Sequence, residues 1–385
     1  MSSVFVAGTS VLSCGGCDIT EFCNNLYNNR ADLDINLPLM IPNVIDKNII
    51  RRMDRFSNLA LTVSKMAIEN SRLDIKSIEP YKIGTVFSSS YGPLNRNLSF
   101  GYKLEEYGPL AVSPIIFSGT VFNACVGHIC INFGFKGVST MIIGNNIGYS
   151  FDLLKHNKAD VILTGGIEEY CPELYECYTQ MDYFSKDENI LCRPLDKNRN
   201  GTKFTEGAAA LILTGENESI KENILCEIIG YGNSTAYEIP SRARAVIDSS
   251  PFCISMYSAI DDSNLTYDMI DAIFMAADGS IYGDLSEANA IHEIFKEKAD
   301  KIPVTSIKGL TGETMGASLS INTSIAAISL KEQSIPPTVG FSEYDPQIDL
   351  NVVCGKSLKG EYKHILVNSF DATGSVSSII LKYYK

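Results

Sequence analysis

The sequence predicts an α/β protein made of two similar halves around buried sheets. Three observations carry that expectation. Short apolar runs alternate with amphipathic stretches along the chain, one order of strand endings occurs twice, and no low-complexity segment interrupts either copy. Strands are read at VFVAG (4–8), KIGTVFSSS (82–90), DVILTGG (160–166), AAALILT (208–214), DAIFMAA (271–277) and HILVNSF (364–370). Between Arg52 and Asn70, Met53, Phe56, Leu59, Ala60, Val63, Met66 and Ala67 recur at helical spacing, so that segment turns one face to a core. A second helix is expected over 284–298. Asp284 followed by Glu287 makes a capping-box-like start there, and Leu285, Ala288, Ile291 and Phe295 continue the apolar stripe.

The repeat is weak but ordered. In the first half, GTVFSSSYG (84–92) ends in small polar residues and DVILTGG ends in Gly-Gly. In the second, DAIFMAADGSIYG is followed by HILVNSFDATG. The charged GENESIKEN at 215–223 separates the copies, which sets the expected halves at 1–220 and 221–385.

A chain of 385 residues, 45% hydrophobic, can bury a large core. It holds no apolar run of about 18 residues, and MSSVFVAGTSVLSCGG lacks the basic and apolar regions of a secretion signal. A cytoplasmic location is therefore expected. The net charge of −13 weighs against a nucleic-acid partner and against a main role in docking acidic carriers. The 11 cysteines, an odd number lying in apolar segments such as those of Cys125, Cys130 and Cys226, fit reduced core thiols. Cys14 and Cys17 form a lone C-x-x-C with only Cys23 nearby, short of the four matched ligands of a zinc site. Neither metal nor cofactor is expected.

Seven pieces in register carry a resemblance across essentially the whole chain. They are RRMDRFSNLAL (51–61), VSPIIFSGTVFNACVGHICINFGFKG (112–137), CRPLDKNRNGTKFTEGAAALIL (192–213), IIGYGNST (228–235), the pair IDAIFMAADGSIYGDLSEA (270–288) and VTSIKGLTGETMGAS (304–318), PPTVG (336–340), and VNSFDATGSVSSIIL (367–381). Together they resemble the β-ketoacyl synthase branch of the thiolase superfamily. The resemblance implies a thiolase fold, with two similar halves stacked as helix, sheet, helix, sheet, helix, working as a dimer. It also implies a cysteine at a helix N-terminus, where the dipole favours the thiolate that takes up an acyl group. Two histidines would donate hydrogen bonds to the thioester oxygen.

Those three positions have departed here. Counting forward from GFKGVSTMIIGNN, the nucleophile falls at about Asn146, with some residues of its turn missing, and no cysteine lies between 131 and 170. The first histidine is replaced by Ala276 and the second by Glu313, while Lys308 and Glu287 hold family positions. Cys125 sits in a superficially similar Asn-Ala-Cys-Val-Gly setting. It precedes the GFKG lead-in instead of following it, and is read as a buried thiol of the interface helix. His128 and His156 fall on expected helices, His292 on the capped helix, and His364 opens the last strand; none stands in a motif. The turn Phe370-Asp371-Ala372-Thr373-Gly374 replaces a glycine-rich gate and has less conformational freedom.

The pattern resembles a chain-length-factor subunit of a type II polyketide or polyene synthase. Such a subunit would lack chemistry of its own, pair with a catalytic ketosynthase as a heterodimer, and wall the acyl tunnel. It would meet acyl carrier protein mainly through that partner. The KG-x-x-GE-x-x-GAS form of 308–318 resembles subunits of highly reducing polyene systems. Two other readings stay open: an acyl-processing enzyme using Glu313 or Asp278 as acid or base, and a homodimeric scaffold for acyl carriers.

Overall fold

The computed structural model describes residues 3–385 apart from 31–36, 52, 187–190, 216–222, 237–247 and 372. The first half runs through β1 (Val4–Ser13), α1 (Ile19–Tyr27), α2 (Lys47–Ile50), α3 (Arg55–Ser71), β2 (Ile83–Ser88), α4 (Leu94–Tyr107), α5 (Pro114–Phe117), α6 (Ala124–Phe133), β3 (Ser139–Ile142), α7 (Asn146–Lys155), β4 (Val161–Glu168), α8 (Pro172–Gln180) and β5 (Gly207–Thr214). The second continues with β6 (Cys226–Thr235), α9 (Ser250–Asp262), β7 (Ala272–Phe274), α10 (Ile281–Phe295), β8 (Pro303–Thr305), α11 (Lys308–Thr311), α12 (Ser318–Lys331), β9 (Ser334–Ile335), β10 (Asn351–Val352), β11 (Leu358–Lys359), β12 (His364–Phe370) and β13 (Ser375–Tyr383).

The halves repeat one topology. In the first, β3, β2 and β4 are parallel, β5 runs antiparallel to β4, and β1 antiparallel to β5. In the second, β8, β7 and β12 are parallel, β13 runs antiparallel to β12, and β6 antiparallel to β13. Val4, Phe5 and Val6 of β1 pair with Ile228, Glu227 and Cys226 of β6, which joins the halves into one 11-stranded mixed sheet, with β10 added beside β8. β9 and β11 form a separate ribbon.

Helices α7 and α12 lie between the two halves, each touching strands of both. α3 covers the outer face of β1, β5 and β4, and α9 covers β6 and β13. This is the five-layer thiolase arrangement. Strands buried on both faces explain the continuous apolar runs of β1, β4 and β5, every residue of which is buried. The central α12 is buried almost all round, hence its small residues and lack of an apolar stripe. On α7, a side chain at Gly148 would meet the Tyr231 ring at 2.4 Å, so only glycine lets the helix seat on β6.

Several expectations need adjusting. The helix expected between Arg52 and Asn70 begins at Arg55 because Asp54 caps it, accepting from Ser57 N; Arg52 lies outside the described residues. The helix expected at 284–298 spans 281–295 and has no capping box. Ser280 stands at its N-cap without a side-chain bond, Asp284 turns inward to the amides of Leu195, Asp278 and Gly279, and Glu287 points into the core. The strand read at 271–277 stops at Phe274. His156 is the C-cap of α7, just beyond the helix. The segment placed at the junction of the halves falls mostly on 216–222, outside the described residues.

Candidate functional site

The site lies where β2, β4, β7, β8 and β12 end, against the start of α7 and of α12. Asn146 is the first residue of α7, fully buried. Its Nδ2 donates to Gly165 O and Thr164 Oγ1, both at 2.9 Å, and lies 3.0 Å from Ser320 Oγ; its Oδ1 is 3.2 Å from Ser88 Oγ. Asn145 caps the helix through Gly148 N (2.6 Å) and reaches Asn233 of the second half at 2.8 Å. An amide in this web offers no nucleophile, and both ends of it are committed.

Glu313 is buried after α11, where Gly312 (φ 65) and Met315 (φ 48) turn the backbone through the left-handed region. Its Oε2 lies 2.5 Å from Lys308 Nζ, and its Oε1 accepts from Met315 N (2.6 Å) and Ser318 Oγ (2.9 Å). Burial raises its pKa, with the Lys308 ammonium pulling the other way. Burial also works against the charge on Lys308, but the Glu313, Asp278 and Glu287 carboxyls outweigh it and hold the ammonium above its usual range. Lys308 is 3.3 Å from Phe370 O as well. Ser318 binds Glu313 and Ser320 binds Asn146, so the first turn of α12 ties both vacated positions together.

Ala276 presents only a backbone group, its N–H donating to Glu287 Oε1 at 3.0 Å. The same oxygen accepts from Asn368 Nδ2 (2.9 Å), while the buried Oε2 has no hydrogen-bond partner. Burial pushes the Glu287 carboxyl up to about 7. Asp278 is buried with its Oδ1 accepting from Ser280 N at 2.9 Å. The structure thus brings Ala276, Asp278, Glu287, Lys308 and Glu313 to one place, with Asn146 across α12. The C-terminal turn closes through Gly374 N to Asp371 O (2.9 Å), and the Asp371 carboxyl accepts from Thr373 N (2.8 Å); Ala372 lies outside the described residues.

His292 and His364 have their partners away from this cluster, whereas Cys14 touches α11 and the Cys192 thiol is raised by burial and by the nearby Asp278 carboxyl. All 11 thiols are free. Cys125 is buried on α6 with Met141 Sδ at 3.6 Å, and burial raises its pKa. Cys14 contacts the carbonyls of Thr311 and Leu310, and Cys17 contacts Glu21. His292 binds Ile348 O and His364 binds Met269 O, while His128 is half-buried and His156 exposed. Among the described residues no group of three or more His, Cys, Asp or Glu is placed to hold a metal, and no helix is long and apolar enough to cross a membrane.

Sequence reasoning missed four contributors. Glu168 ends β4 fully buried and accepts four hydrogen bonds; burial raises it to about 8. Its signal was an acid closing an otherwise apolar run, VILTGGIE. Asp284, pushed by burial to about 7, was read as a cap. Tyr91 and Tyr178 touch through their hydroxyls beside the buried Tyr183, Phe184 and Phe204, and nothing in their spacing marks them.

The comparisons with known proteins agree with this architecture. Residues 43–219 match the family model "Beta-ketoacyl synthase, N-terminal domain", and 226–342 match "Beta-ketoacyl synthase, C-terminal domain". A 3-oxoacyl-[acyl-carrier-protein] synthase 2 of Staphylococcus aureus (strain COL) is 28% identical over 357 residues, covering 89% of this chain and 84% of that one. The protein of the same name from Coxiella burnetii is 27% identical over 351 residues, covering 88% and 84%. In fold, the ishigamide ketosynthase/chain length factor superposes with a TM-score of 0.87 at 21% identity, covering 100% of both chains. A type II polyketide synthase complex of an acyl-carrier protein with its ketosynthase gives 0.88 at 20%, again covering 100% of both. A β-ketoacyl synthase from Burkholderia phymatum gives 0.86 at 23%, with the same coverage. With both family domains matched in order along one continuous fold, the chain belongs to the β-ketoacyl synthase family.

Proposed function

We propose that this chain is a chain-length-factor-like partner of a catalytic ketosynthase in a type II polyketide synthase, without condensing activity of its own. The observation that carries the reading is Asn146. At the helix start where the family resemblance puts the nucleophile, a buried amide is bonded on all sides. Ala276 has no side chain to donate to an oxyanion, and Glu313 is spoken for by Lys308, Met315 and Ser318. The same bonds weigh against an enzyme using Glu313, since both of its oxygens already accept hydrogen bonds. The likeness to a ketosynthase/chain length factor supports the reading at the level of fold.

A partner surface fits as well. Helix α4 has no buried residue, Leu110, Ile115, Phe117 and Ile131 are exposed, and Lys136 is the sole Lys, Arg, Asp or Glu between 108 and 151. We assign this face to the ketosynthase, which would also provide the main contact with acyl carrier protein. The test is co-expression with a complete ketosynthase. A heterodimer is expected, with condensation only in the complex and product length shifted by substitutions in this chain. A homodimer of this chain that turns over malonyl-carrier alone would overturn the proposal.

A further inference from the structure

Glu168 is a buried acid of the first half that reaches into the second at this site. Its Oε2 accepts from Ser90 N at 2.7 Å and from Gly316 N at 3.1 Å; its Oε1 accepts from Ser89 Oγ at 3.1 Å and Tyr91 N at 3.2 Å. Three of these donors belong to the loop leaving β2, and the fourth to the turn between Glu313 and α12. The approach of the two segments is tight. A side-chain carbon on Gly316 would fall 2.5 Å from the Ser89 Cα, so glycine is required for its amide to reach the carboxyl. Gly316 O in turn accepts from Ser88 Oγ at 2.9 Å, which closes a ring of bonds between the halves. The loop so held carries Tyr91, whose hydroxyl meets that of Tyr178, and Ser90, whose Oγ lies 3.4 Å from Asp371.

We propose that Glu168 is a positioning residue, a latch that fixes the 88–91 loop of the first half to the 313–318 turn of the second and so sets where Tyr91 stands at the site. The latch is sensitive to protonation. Burial raises the carboxyl to about 8 from an ordinary 4.5, while its four donors pull it down. Opened to water, the carboxyl returns to the ordinary value. The closed latch therefore holds its proton more firmly than the open one. It is tightest below about pH 4.5, and each pH unit from there to about 8 favours opening by up to about tenfold. The titratable groups that face it are Tyr91 and Tyr178 from the first half; from the second, Asp371 touches Ser90 of the same loop, and Glu313, paired with Lys308, precedes Gly316 on the same turn. Asp371 is also raised by burial, so the Glu168 contribution must be separated by substitution. The inference gives one residue of the proposed non-catalytic site a role, and its test reads the fold of this chain, independent of any partner.

The experiment is hydrogen exchange of the full chain across pH 5–9, followed at the amides of 89–91 and 315–317 and corrected for intrinsic rates. Wild-type protection is expected to fall with rising pH and to level off near 8. Glu168→Gln, which loses an acceptor on one side, should weaken protection and reduce its pH slope, Glu168→Gln with Asp371→Asn should give a flat profile, and Glu168→Ala should lose protection at least tenfold at every pH. Protection unchanged in Glu168→Ala, or a pH slope as steep in Glu168→Gln as in the wild type, would overturn the latch. Neither result bears on whether the chain pairs with a ketosynthase.

Discussion

The two halves share a strand order and a sense for every strand, yet they end their strands at the site in opposite chemistry. The first half supplies hydroxyls and amides, Ser88, Asn146 and Thr164, with the buried acid Glu168 beside them. The second supplies Asp278, Asp284, Glu287, Glu313 and Asp371 around the ammonium of Lys308, and Arg199 of the first half acts on Asp284. One topology thus carries both a neutral web of short hydrogen bonds and a charged cluster held by a central cation. Strand order places these residues; it does not choose their chemistry.

The charged half should break first. Lys308→Met leaves Glu313 buried without its cation and is expected to lower stability by about 3–5 kcal/mol, read as a fall in the urea midpoint at constant slope. Adding Glu313→Leu should recover most of that loss. A double variant no more stable than the single would show that the pair is not the brace. In the neutral half, Asn146→Ala strands the partners of one amide, and about 1–3 kcal/mol is expected. Asn146→Cys should lose a comparable amount and still not condense, because Ala276 and Glu313 remain. Condensation by that variant alone would break the contrast between the halves.

The pH dependence sharpens the comparison further. Burial raises Asp284 and Glu287 to about 7 from 3.8 and 4.5. The folded chain therefore keeps protons that the unfolded chain releases. The stability these groups contribute is complete below about pH 4, falls as pH rises to about 7, and is flat beyond, with a slope of up to about 1.4 kcal/mol per unit for each. Urea midpoints across that range should show the decline, and Glu287→Gln should remove the part that ends near 7. The smallest effect is expected from Cys125→Ala, at about 1 kcal/mol with activity of the complex intact. Loss of condensation with the fold retained would show that this thiol takes part.

How much of this was legible in the sequence follows the same division. The apolar runs of β1, β4 and β5 and the stripe of α3 declare themselves because each is long and its burial is periodic or complete. The short β8 does not, since three residues carry no period, and β7, read over 271–277, ends at Phe274. Motif order brought Asn146, Ala276, Lys308 and Glu313 into view, and each stands at the end of an element facing the site. Asp284 misled because an acid three residues before another, near a helix start, fits capping as well as an inward turn; the deciding amides of Leu195, Asp278 and Gly279 are supplied by tertiary structure. The Tyr91–Tyr178 contact was invisible for the same reason, and Glu168 showed only as an acid closing an apolar run, its partners lying far away in sequence.

The three-residue seam between β1 and β6 sets a timetable for synthesis. β1 leaves the ribosome first, yet its neighbours on either side, β5 and β6, begin only at Gly207 and Cys226. The first strand made must wait through more than half of the chain before either of its edges is paired. Contacts so distant are slow to form, and an unpaired apolar strand invites the wrong partner in the interval. Gly8, whose side-chain hydrogen faces the Cα of Ser71 too closely for any larger group, lets α3 cover β1 during that wait. An amino-terminal deletion that removes β1 would therefore take away the strand that links both halves, a loss in the middle of the sheet and not at its edge.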